Sequence, residues 1–202
     1  HALGSSYSHK KCGKLGDVSV FSFTPHKIIT MGQGGMILTD KKTLSDFIEG
    51  IKTFNRLGDK SDFHKGFGLN FKITDLQAAL GNSQFKKLGK HIELKRKVLN
   101  HYKDSISNEF KIIEFNENEA PWFIDICFKN KSKRTNAINK LNNHGIETRL
   151  SYPPLSKQKY LKKYANSNLK YSESVYEKIL WMPSSINLTS RSISNICSLI
   201  NE

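Results

Sequence analysis

From Leu76 through Leu80, Leu88, Ile92, Leu99 and Tyr102 to Ile106, apolar residues recur at the spacing of one helix face. Thr74-Asp75-Leu76-Gln77 opens the run as a capping box, with the Thr hydroxyl set to serve one amide and the Gln side chain another. The pattern predicts a helix from about Asp75 to Ser105, bent at Gly81 or Gly89. Such a helix far exceeds the ~10–14 residues of an average one. It therefore links two substructures, and it divides the chain into residues 1–74, a linking helix over 75–106, and residues 107–202. At 202 residues and 23.0 kDa, either part is long enough to bury a core.

Ahead of that helix, Asp17 to Phe23 is rich in β-branched and aromatic residues and reads as a buried strand. Pro25 stops it, since proline cannot donate to a ladder. Met31-Gly32-Gln33-Gly34-Gly35 is a turn of residues that tolerate positive φ. Met36 to Thr39 follows as a second strand, close enough to pair antiparallel with the first, and Leu44 to Lys52 as a helix. Asn55 to Gly68 reads as an irregular loop, too long for a passive connector. Behind the long helix, Phe110 to Phe115 and Trp122 to Phe128 read as strands, and Arg134 to Asn143 as a helix stopped by Gly145. Ile146 to Tyr152 reads as a third strand, ended by Pro153-Pro154. Ser172 to Trp181 and Ser190 to Ile200 read as closing helices, the second capped by Thr189.

The balance of 32 Lys+Arg against 18 Asp+Glu gives +14 and a pI near 9.7, a field that attracts polyanions. The cations are dispersed, and no aromatic-interleaved basic stripe marks a nucleic-acid binder. Mean hydropathy is −0.51, and no stretch approaches the ~20 apolar residues of a membrane span. Cys12, Cys127 and Cys197 are odd in number and widely spaced, so neither a disulfide framework nor a zinc or other metal site is expected, and reduced thiols in a cytoplasm are. The chain opens on His1 with no Met and no signal peptide, so the numbering is expected to begin inside a longer protein.

Chemistry concentrates in one segment. Ser22 ends the first strand, and Lys27 follows between a Pro-containing turn and the apolar pair Ile28-Ile29. A lysine among apolar groups loses hydration of its ammonium, so its pKa falls and the free amine becomes a nucleophile. Ser22 is placed to hold a phosphate oxygen, with the nearby glycines exposing amides to the same anion. Taken singly, each has a plainer reading: a solvated lysine, an ordinary turn. His26 is a turn histidine or a substrate contact. Arg149 either meets an anionic group or pairs with a carboxylate. Trp122 and Trp181 read as packing, and Glu93 to Lys97 as a wet helix face.

Together, Asp17 to Met36 resembles the active-lysine segment of the nucleotide-sugar aminotransferases of the DegT/DnrJ type, pyridoxal-phosphate enzymes with the aspartate aminotransferase (type I) fold. His1-Ala2-Leu3-Gly4 is similar to the end of that family's Glu-Asp-x-Ala-His-Ala-Leu-Gly motif. Gly68-Leu69-Asn70-Phe71-Lys72-Ile73-Thr74-Asp75-Leu76-Gln77-Ala78-Ala79-Leu80-Gly81 is similar to its Gly-Tyr-Asn-Tyr-Arg-Met-Thr-Asp-Ile-Gln-Ala-Ala-Ile-Gly motif. Gly145-Ile146-Glu147-Thr148-Arg149 and Tyr152-Pro153-Pro154-Leu155 resemble its C-terminal elements. The four motifs stand in family order.

The resemblance implies an α/β chain made of the end of a large-domain sheet within residues 1–74, the linking helix, and a small C-terminal α/β domain. It implies that Lys27 carries pyridoxal 5'-phosphate as a Schiff base and shuttles the proton, that Ser22 binds the cofactor phosphate, and that His1 neighbours the pyridine ring. Asn70 and Lys72 match the stretch that reaches across a homodimer with shared active sites to the other subunit's phosphate. His26 and Arg149 stand as substrate contacts. The implied reaction moves an amino group from L-glutamate to a nucleotide-diphosphate keto sugar, giving a 4-amino-4,6-dideoxy sugar for polysaccharide synthesis. Gln33 stands where Glu is usual, and Ser151 and Ser156 where His is frequent. The family's ring-pairing aspartate, ring-stacking aromatic and a further phosphate loop all precede the position of His1. A sugar 3-dehydratase of the same fold is a rival, but its relatives carry His where Lys27 stands. A basic nucleic-acid-binding module and a non-catalytic remnant are the others.

Overall fold

The computed structural model describes residues 1–58, 62–164 and 169–202. These form two units, residues 1–92 with 117–120, and residues 93–116 with 121–202.

The first unit opens with a small hairpin, β1 (Ser6–Tyr7) and β2 (Lys10–Lys11). β3 (Ser19–Ser22) and β4 (Gly35–Leu38) then pair antiparallel, with Phe21 opposite Met36 and Ser22 opposite Gly35. Alternation along the strand sends Phe21 and Phe23 into a core with Ile29 and Met31, while Val20 on the opposite face is 72% exposed. α1 (Lys42–Lys52) follows.

The expected single helix is two. α2 (Asp75–Phe85) starts at the Thr74–Gln77 capping box, with both reciprocal hydrogen bonds formed, and α3 (Leu88–Ser105) starts after a break at Lys86 and Lys87. Neither expected glycine makes the break. Gly81 sits inside α2 because a Cβ there would stand 2.8 Å from Met31 Cγ, so its bareness serves close packing. The boundary between the units falls within α3, between Ile92 and Glu93.

In the second unit, β5 (Lys111–Ile112), β6 (Ile124–Cys127), β7 (Arg149–Leu150) and β8 (Ile179–Met182) form an antiparallel sheet in the order β5-β6-β8-β7. α4 (Lys131–Asn143), the short α5 (Lys170–Val175) and α6 (Ser190–Asn201) complete it. Ile124, Ile126, Leu180 and Met182 share one sheet face and join Val98, Leu99 and Tyr102 of α3, Leu141 of α4 and Ile193, Ile196 and Ile200 of α6 in the core. Gly145, at φ +71, stops α4 by letting the Ile146 amide reach back to Leu141 O at 2.9 Å. The segment expected as a helix from Ser172 to Trp181 is corrected: α5 ends at Val175, and the apolar run Ile-Leu-Trp-Met becomes β8, buried on both sides. The expected strands at 110–115 and 146–152 shorten to the two-residue β5 and β7.

Candidate active site

β3 delivers Ser22 and Phe23 to the start of a tight excursion. Phe23 N–H donates to Gly34 O, and Met31 N–H returns to Phe23 O, both at 2.9 Å. Thr30 Oγ1 also donates to Phe23 O at 3.2 Å. The chain between 24 and 30 is thus pinned at its base and carries His26 and Lys27 at its tip, where Lys27 N–H donates to Thr24 O. Ile29 turns inward, 2% exposed, and its neighbour Ile28 offers its carbonyl to His91 Nδ1 at 3.1 Å. Burial lowers the Lys27 pKa. His1 is exposed at the start of the first unit.

Ser22 is exposed at the strand end, and among the described residues nothing engages its hydroxyl. The glycine turn is shaped as expected, with positive φ at Gly32 and Gly34, but the Gly32 amide already donates to Thr30 Oγ1 at 2.9 Å and is not open to an anion. Gln33 holds the turn against α2 by accepting at its carbonyl from Gln77 Nε2 at 3.0 Å. A partly desolvated amine and an uncommitted hydroxyl on one strand-and-turn form a donor set that fits a phosphorylated aldehyde such as pyridoxal phosphate.

Asn70 and Lys72 lie on a second loop. Asn70 bridges to Thr53, and Lys72 Nζ stands 5.5 Å from the centroid of the Phe54 ring. Both side chains are exposed. One feature has no signal in the sequence: Phe54 and Asn55, at φ +67 and +52, are consecutive left-handed residues.

Arg149 belongs to the second unit. It is in register with Trp181 on β8, itself opposite Asp125 on β6, so the three side chains form a row on the sheet face away from the core. The guanidinium lies 5.2 Å from the Tyr152 ring and 5.3 Å from the Trp181 ring, and among the described residues no carboxylate pairs with it. Trp181 stacks on Phe123 at 3.9 Å, the packing role expected of it. Ser156 donates to Glu173.

A profile of the DegT/DnrJ/EryC1/StrS aminotransferase family matches residues 1–201. GDP-perosamine synthase of Escherichia coli O157:H7 is 30% identical over 204 residues, covering 100% of this chain and 56% of that protein. Among solved structures, Helicobacter pylori PseC, an aminotransferase involved in the biosynthesis of pseudoaminic acid, superposes with a TM-score of 0.90 at 26% identity, over 99% of this chain and 56% of that one. The E. coli GDP-4-keto-6-deoxy-D-mannose-3-dehydratase, solved with hydrated pyridoxal phosphate, shares the fold at TM-score 0.84 and 20% identity. The chain spans about half the length of the relatives it matches. A lysine turn on a two-stranded ribbon, a helix opened by a capping box, a four-stranded second unit and a profile match from end to end lead to one conclusion: this chain belongs to the DegT/DnrJ/EryC1/StrS aminotransferase family.

Proposed function

We propose that this chain carries the lysine-bearing part of a pyridoxal-phosphate aminotransferase that moves an amino group from L-glutamate to a nucleotide-linked keto sugar. The observation that carries the reading is Lys27 itself, held at the tip of a pinned turn with its pKa lowered by burial. When bound, the cofactor supplies an electron sink for the bond broken at the substrate carbon. Lys27 would hold the cofactor covalently until the amine of the substrate displaces it, and the freed Nζ would then take up and return the substrate proton. Ser22 Oγ would donate to the cofactor phosphate, and His1 would neighbour the ring. Asn70 and Lys72 serve the phosphate of the other subunit of a homodimer. His26 and Arg149 contact substrate, Arg149 as a cation steadied by two aromatic faces. The setting is the cytoplasm. No helix among the described residues is long and apolar enough to cross a membrane.

The dehydratase reading shares the fold but lacks the lysine. Assay of amino transfer from glutamate to nucleotide-linked keto sugars, in the protein as it occurs in cells, separates the two. Lys27→Ala and Lys27→Arg are both expected to stop transfer, since guanidinium stays protonated and cannot act as the nucleophile. Transfer at the parent rate by either variant would overturn the proposal.

A further inference from the structure

A phenylalanine followed by an asparagine, both at positive φ, is an unusual backbone. A bulky residue there is a true outlier, and such a conformation persists only where the surroundings enforce it. Here they do. Phe54 N–H donates to Leu69 O at 3.0 Å, and Asn55 N–H to Gly50 O at 2.7 Å. Asn55 Nδ2 donates to Phe67 O at 3.2 Å, and His64 Nδ1 contacts Phe54 O at 2.6 Å. Gly68 lies so close that a Cβ would stand 2.2 Å from the Phe54 carbonyl carbon. Gly50, His64, Phe67, Gly68 and Leu69 thus close around this one pair of residues.

The result of that enforcement is the position of the Phe54 ring. Arg56 Cζ stands 5.1 Å from its centroid, and Lys72 Nζ 5.5 Å. Two like charges gather on a single ring. Among the described residues no carboxylate lies within ion-pair distance of either, although the same unit pairs Lys41, Lys42 and Lys52 with neighbouring acids. Both cations are exposed, and the next bridge residue is Asn70. Like charges gathered at one ring repel, and a ligand that brings negative charge relieves that repulsion. A guanidinium and an ammonium held at one ring, on the loop whose strand-like bridge carries Asn70, suit the several oxygens of a phosphoryl group.

We propose that Arg56 is a third phosphoryl-binding residue beside Lys72 and Asn70, and that Phe54 is the positioning residue that holds both cations through its ring. This rests on the reading of Asn70 and Lys72 as phosphate contacts and extends it to a residue outside the family-like motif. The phosphoryl group is that of the cofactor or the diphosphate of a nucleotide substrate.

The test is calorimetric titration of the protein as it occurs in cells with inorganic pyrophosphate and, separately, inorganic phosphate at low ionic strength, where exposed charges are least screened. Arg56→Gln and Lys72→Gln should each weaken binding about tenfold, the loss of one charge-assisted contact. Lys133→Gln removes the same charge in the other unit and should leave affinity within about twofold. Phe54→Leu should weaken binding about as much as Arg56→Gln, and Phe54→Tyr, which keeps the ring, should restore it. A preference for pyrophosphate assigns the clamp to a diphosphate, and none assigns it to a phosphate monoester. Absence of binding by the parent chain, an Arg56→Gln effect no larger than that of Lys133→Gln, or a Phe54→Tyr variant as weak as Phe54→Leu would each overturn the proposal. Labelling of Lys27 by the cofactor is an independent measurement, so failure of the aminotransferase reading and failure of the clamp are separable.

Discussion

Asp125 occupies the middle of the four-stranded sheet with its Oδ1 buried and unpartnered. Burial pushes its carboxyl up to about 6, and the Trp181 indole, donating to it, pulls weakly the other way. The folded chain holds this proton more tightly than the unfolded chain does, so ionisation is destabilising. Stability is expected to fall as pH rises from the unfolded value near 3.8 through about 6. Asp125→Asn should stabilise the protein by about 1 kcal/mol at about pH 8, after allowance for solvent screening, and have no effect at about pH 3.5. Thermal melts at the two pH values measure it. Lys95 is the opposite case. Its Nζ donates to Trp122 O at 3.1 Å, to Ser184 Oγ at 3.0 Å and to Ser184 O, while burial lowers its pKa to about 8. Lys95→Met should cost about 2–4 kcal/mol, because it strands two carbonyls, and chemical denaturation would show it. Neither residue was legible from sequence. Asp125 alternates with Ile124 and Ile126 as any strand polar residue does, and Lys95 sits in what reads as a wet helix face. By contrast, Thr74 with Gln77, Thr189 and Gly145 act as their positions in the sequence predict, because caps are local chemistry.

At the scale of elements, the sequence is legible wherever periodicity and capping agree, as in the start of α2, in α4 and α6, and in the pairing of β3 with β4. It misleads where an apolar run is short. Ile179 to Met182 has no alternation because both faces of β8 are covered, and such a run cannot be told from a helix end by period alone. The break at Lys86 and Lys87 escaped notice because both are good helix formers, and the apolar spacing resumes at Leu88 almost in phase. The left-handed pair at Phe54 and Asn55 was invisible for a related reason: only Gly68, distant in sequence, marks the close approach. Gly68→Ala should drive a methyl into the Phe54 backbone and cost about 1–3 kcal/mol. Hydrogen exchange should then accelerate at the Phe54 and Asn55 amides while the core of the second unit, around Leu141 and Leu180, stays protected. Uniform acceleration in both units, or none, would contradict this account of the loop.

Across the whole molecule, the two units differ in the size of their buried cores. The second buries one continuous core. The first has a smaller core and leaves Phe63 and Phe67 at 77% and Leu76 at 84% exposed. With about half the length of its relatives, the isolated 202-residue chain is expected to hold pyridoxal phosphate poorly, and micromolar binding in a spectroscopic titration would refute that. In the protein as it occurs in cells, mixing Lys27→Ala subunits with Asn70→Ala subunits should restore activity through heterodimers with one intact site. Activity that never returns, while parent subunits reassemble, would exclude sharing across the interface. The central claim is that Lys27 carries the cofactor. It is tested most directly by loading that protein with pyridoxal phosphate, reducing it with borohydride and mapping the labelled peptide. The account predicts the reduced cofactor on Lys27; its recovery on another lysine would contradict it.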